Sequence, residues 1–149
     1  MQLFIKTPLY EHNKYVPHLL EHCVLFSSER EEAFTYFGDI NAGTTYGGTE
    51  FEFYSPLSLS HLLKKISQPI SQETFRIQKK YLAYELKNPI FSQKLREKFM
   101  QTVENNSCIR ANTLQKGVNL ELLTNYQKKW YQEQQMIFVG EDNNVDLQF

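Results

Sequence analysis

The feature that most constrains the fold is an abrupt change of hydrophobic period at Pro56. From Thr49 to Tyr54 the chain alternates, with Phe51 and Phe53 on one face and Glu50, Glu52 and Tyr54 on the other. That is the two-residue period of a strand with one buried face. Beyond Pro56 the apolar residues are Leu59, Leu62, Leu63 and Ile66, a helical stripe that ends near Ile66. Pro56 suits the start of that helix, where its missing N–H costs no bond. A half-buried strand joined to amphipathic helices must pack sheet against helix. The expected fold class is therefore α+β, a mixed or antiparallel sheet packed against helices.

The other segments fit this layout. Gln2 to Lys6 reads as a short strand, followed by a polar loop around residues 11–14 in which His12 is solvated. A helix is expected from about Pro17 to Phe26. Ser28 and Glu31 form a capping box for a second helix that ends near Gly38. Residues 39–56 read as a hairpin turning at Gly47-Gly48. Its first arm carries the small residues Ala42, Gly43, Thr44 and Thr45, so its edge either accepts an extended peptide as an added strand or is a protected edge that binds nothing, and the pattern alone favours the second. A long helix from about Ser71 to Lys87, closed by Asn88-Pro89, places Phe75, Gln78, Leu82 and Glu85 on one side. A carboxylate at the end of an apolar stripe either turns outward or meets a cation. Further helices are expected near 91–104 and 120–131, then a strand at 135–140 and a polar tail over 141–149. With no linker or repeat, residues 1–149 form one domain.

Composition removes several classes of function. Hydrophobic content of 41% and aromatic content of 14% support a folded chain. A net charge of −1, without a Lys/Arg-rich run, leaves no nucleic-acid footprint. No apolar stretch approaches the roughly 20 residues of a membrane span. The start of the chain reads as a strand, since a secretory leader needs a longer apolar run. Cys23 and Cys108 form no disulfide or metal pattern, and a cytoplasmic setting is expected.

The chemistry is concentrated in Pro17-His18-Leu19-Leu20-Glu21-His22. On a helix His18 and His22 are about one turn apart and project from the same face, with Glu21 at its edge. Two neutral imidazoles at this spacing can hold Zn²⁺, and a neighbouring carboxylate can take a proton from water. H-x-x-E-H is the inverted form of the H-E-x-x-H zinc-protease helix. A plain amphipathic helix, with Leu19, Leu20 and Cys23 in the core, accounts for the same five residues, so the motif alone leaves both readings open. His61 lies beside its helix's apolar stripe and reads as a partly buried or solvent-facing side chain, not as a ligand.

Several segments together resemble the pitrilysin/insulinase metallopeptidases. The H-x-x-E-H helix is followed by Asn41-Ala42-Gly43-Thr44, similar to the family's Asn-Ala-x-Thr strand, and then by the Thr49–Tyr54 strand. Tyr81 to Leu86 is similar to the end of the family's long helix, and the closing helix and strand match in order. The resemblance implies a single pitrilysin-type (LuxS/metallopeptidase-like) domain with His18, His22 and Glu85 as zinc ligands. Glu21 is then the general base of peptide hydrolysis, and Asn41, Ala42, Gly43 and Thr44 pair with the peptide substrate. Where family members often carry a second Glu two turns before the ligand Glu, this chain has Gln78, which supports the ligands without the charge. The family's domains come in pairs or fours, so a homodimer or a heteromer with a second pitrilysin-like domain is implied. The expected activity is a zinc-dependent endopeptidase for short or unfolded peptides, one that matures a dedicated peptide. The alternatives are a non-catalytic peptide-binding partner subunit and a zinc hydrolase of another kind on the same scaffold.

Overall fold

A computed structural model of the chain describes residues 1–7, 15–26, 40–45, 47–87 and 117–140. Within them lie β1 (Gln2–Ile5), α1 (Tyr15–Leu25), β2 (Ile40–Thr44), β3 (Thr49–Phe53), α2 (Pro56–Ser67), α3 (Gln72–Lys87), α4 (Leu120–Trp130) and β4 (Met136–Val139). A single 3₁₀ turn, Glu133–Gln135, leads into β4. The helices expected over 28–38 and 91–104, the loop with His12, Cys108, the Asn88-Pro89 stop and the polar tail lie outside the described residues.

The fold is α+β. The four strands run in the order β2-β3-β1-β4, and every pairing is antiparallel. Of the two arrangements open from sequence, the antiparallel one is therefore present. The alternation around Phe51 holds across the sheet. Phe51 pairs with Leu3 of β1 and Ala42 of β2, and Leu3 pairs in turn with Phe138. Phe51, Phe53, Leu3 and Ile5 are wholly buried. On the opposite face, Asn41 lies opposite Glu52, and Gln2 opposite Glu52 and Val139.

Against the inner face packs α1, which touches β2, β3 and the three other described helices. It can occupy that central place because it is apolar around most of its circumference: Val16, Leu19, Leu20, Cys23 and Val24 are all buried. Pro17 is the third residue of α1, where the sequence predicted the first. It still lies in the first turn, whose N–H groups have no intrahelical partner, so the shift costs no hydrogen bond. Burial raises the Cys23 thiol to about 12, which keeps it protonated and chemically quiet. The expected stripes face this core, with Leu59, Leu62 and Ile66 buried on α2 and Phe75, Gln78 and Leu82 on α3.

The hairpin closes where the Thr45 N–H and hydroxyl both donate to the Gly48 carbonyl, at 2.8 and 3.1 Å. Gly48 is required by a close approach to β1, since a Cβ there would meet the Ile5 carbonyl oxygen and the Phe4 ring, with Ile5 backbone inside contact distance. Backbone cannot move aside as a side chain can. Gly48→Ala is expected to destabilise the protein by about 1–3 kcal/mol, the usual range for overpacking. Denaturant unfolding of the two proteins measures it, and an unchanged midpoint would contradict the close approach.

Candidate metal centre

The end of α1 is held by two side chains from other helices. The last carbonyls of a helix lack intrahelical donors. Here Lys65 Nζ of α2 donates to the Leu25 carbonyl at 3.4 Å, and Gln78 Nε2 of α3 donates to the Phe26 carbonyl at 3.3 Å. The Gln78 bond needs an amide, because an ionised carboxylate at this position has no proton to give. It ties α3 to the end of α1, and Glu85 lies two turns further along the same face of α3.

That placement brings three donor groups together. His18 Nε2 and His22 Nε2 lie 3.3 Å apart. Glu85 Oε2 is 3.3 Å from His22 Nε2, and Glu85 Oε1 is 3.8 Å from His18 Nε2. One atom from each of the three falls within 4.8 Å of the others. A tetrahedral ion with bonds of about 2.0–2.1 Å holds its donors about 3.3 Å apart; the two imidazole nitrogens have that separation, and each Glu85 oxygen faces one of the imidazoles. His18, His22 and Glu85 form a group that could hold a metal ion. The fit rests on donor chemistry as well as on distance, since two imidazoles and a carboxylate leave one tetrahedral position for water or substrate.

The centre is graded from inside to outside. The His22 side chain is 13% exposed, against 26% for His18 and 32% for Glu85. Approach from solvent is therefore over His18 and Glu85, with His22 at the floor and the Phe26 ring edge-on beside it. Burial lowers the pKa of His22 below its ordinary 6.5 and outweighs the Glu85 carboxylate and Gln78 side chain, which both favour the charged ring. A neutral imidazole at neutral pH is the form a metal requires.

Glu21 is not one of the three donors. It is 5% exposed, and its Oε2 accepts a hydrogen bond of 2.5 Å from the Thr44 hydroxyl. Of the two acidic residues, Glu85 faces both imidazoles and Glu21 accepts a hydrogen bond from β2.

The four residues of the Asn41–Thr44 segment divide by register. Asn41 lies on the outer face, where its Nδ2 donates to Glu52 Oε2 at 3.4 Å. Gly43 is opposite Glu50 on that same face, whereas Ala42 and Thr44 face the helices. The strand they form is an edge, with β3 on one side and no strand on the other among the described residues. The contact of Thr44 with Glu21 was not foreseen in the sequence, although a signal for it existed. Phe51 and Phe53 point inward, so Thr49 does too, and the hairpin places Thr44 opposite Thr49.

A separate cleft of about 500 Å³ opens between the C-terminal ends of α2 and α4 and the start of β4, lined by Leu63, Gln127, Tyr131 and Met136 among others. It holds none of His18, Glu21, His22 and Glu85. Gln127 explains why its walls are firm, since its Nε2 donates to the Ile66 and Gln68 carbonyls at 2.9 Å each.

Comparison with protein-family models, curated proteins and solved structures finds no match to this chain. None of the described helices is long and apolar enough to cross a membrane.

Proposed function

We propose that this protein is a zinc-dependent endopeptidase of the pitrilysin type, acting on short or unfolded peptides. The observation that carries the reading is the convergence of His18, His22 and Glu85, with one donor atom of each within 4.8 Å of the others, and a buried carboxylate, Glu21, next to His22 on the same helix. A purely structural helix has no need of both.

His18, His22 and Glu85 would hold the ion. When bound, it supplies Lewis acidity, which lowers the pKa of a water toward about 7 and polarises a carbonyl. Glu21 takes a proton from the attacking water and returns it to the leaving amine as the peptide bond breaks. The edge of β2, unpaired among the described residues, seats an extended peptide by main-chain hydrogen bonds, which select extended shape over sequence. An edge binds folded substrates poorly, and the activity is accordingly assigned to short or unfolded chains.

The pairing of this domain with a second copy or a related chain belongs to the same proposal. Ile137 and Val139, each 56% exposed on β4, which is an edge of the sheet among the described residues, support it. The cytoplasmic setting also belongs to it, in keeping with the free thiol of Cys23.

The test is cleavage of unstructured fluorogenic peptides by protein purified without chelator. Turnover that disappears with a chelator and returns with zinc is the expected result. Intact metal binding with no cleavage of any peptide would favour the peptide-binding subunit instead.

A further inference from the structure

Thr44 occupies two roles in the fold. Its backbone is the last rung of β2, opposite Thr49, on the strand whose outer edge is unpaired among the described residues. Its side chain faces the helices, where Oγ1 donates to Glu21 Oε2. The direction of that side chain is set by register, because a slip of one residue would turn the hydroxyl to the opposite face of the sheet. The register is anchored on both sides. Thr49 is wholly buried, with its hydroxyl 3.1 Å from the hydroxyl of Thr7, and Thr45 closes the turn on Gly48. A β-branched side chain is also stiff at its first torsion. The hydroxyl is therefore presented to Glu21 from a fixed point.

We propose that Thr44 is a positioning residue for the Glu21 carboxylate, holding its orientation from β2, an inference resting on the reading of Glu21 as the base. The last torsion of a glutamate side chain is broad, so burial alone leaves the carboxylate plane poorly defined. A charge-assisted hydrogen bond from a fixed donor selects one orientation. That selection matters because a base must come within about 2.6–3.2 Å of the proton it takes. It also ties the base to the strand that seats the substrate, so the same backbone that aligns the peptide holds the group that deprotonates its attacking water.

The test uses Thr44→Val, which keeps the branched shape and the strand preference but removes the donor, and Thr44→Ser, which keeps the donor. With zinc-loaded protein and a fluorogenic peptide, Thr44→Val is expected to lower kcat roughly 10- to 100-fold, the range typical for partners that orient groups at a metal site. KM and metal content should stay unchanged, and Thr44→Ser should recover most of the rate. A second readout needs no turnover: melting temperatures of wild type, Thr44→Val, Glu21→Ala and the double variant, since alanine, unlike glutamine, removes the acceptor. Groups in direct contact give non-additive shifts, and non-additivity is expected here; Thr44→Ala replaces Thr44→Val if valine prevents folding. Additive shifts, an unchanged kcat, or a rise in KM alone would overturn the positioning role while leaving the peptidase reading intact. Non-additive shifts in a wild type that cleaves nothing would uphold the hold of Thr44 on Glu21 and overturn the peptidase reading instead.

Discussion

Glu21→Gln in the metal-loaded protein is expected to lose roughly a hundred- to ten-thousandfold in peptide hydrolysis, the contribution typical of a general base, while binding metal as the wild type does. The structure allows both halves of that statement. The donor group consists of His18, His22 and Glu85, without Glu21, so its charge is not needed to hold an ion. The amide has nearly the shape of the carboxylate, and its oxygen can still accept the Thr44 hydroxyl. Packing around this 5% exposed side chain is thereby kept, and what is removed is the capacity to take a proton. Peptide-cleavage rates measured beside metal content on the same samples decide the matter. Equal rates in the two proteins would refute the role of Glu21.

The second large effect concerns Glu85. Glu85→Ala is expected to weaken metal binding well beyond the roughly 10- to 100-fold that loss of an outer partner costs, because it removes one of three protein donors. Its side chain is 32% exposed, and truncation there gives up its contacts with His18 and His22 at a cost in folding stability of about 1 kcal/mol. The pairing of a large loss in affinity with a small change in stability is the signature expected of a ligand. A metal titration alongside a thermal melt measures both. Unaltered affinity would exclude Glu85 from the site.

The contrast between these two carboxylates shows which parts of the molecule were legible in the sequence. The elements themselves were, because their periods are local. Phe51 and Phe53 mark a strand, Leu59 to Ile66 and Phe75 to Glu85 mark helices, and the described ends differ from the expected ones by a residue or two. The three donors were also legible, since the spacing of His18 and His22 on one helix is itself the signal and Glu85 stood out at the end of an apolar stripe. The strand order β2-β3-β1-β4 was not, as it joins residues from both ends of the chain and no local pattern encodes it. The role of Gln78 was only half visible. Its place on the Glu85 side of α3 could be read, but its bond to the Phe26 carbonyl depends on how α3 crosses α1. Thr44 marks the same limit, since its direction follows from hairpin register and its contact from the packing of α1 on β2.

The most direct test of the central claim is the metal content of the wild-type protein, purified without chelator or added metal and measured by elemental analysis. The account predicts close to one equivalent of zinc per chain, bound through His18, His22 and Glu85. Protein that carries no metal, and takes up none when zinc is added, would contradict it and leave the two histidines and Glu85 as a hydrogen-bonded polar cluster at the end of a helix pair.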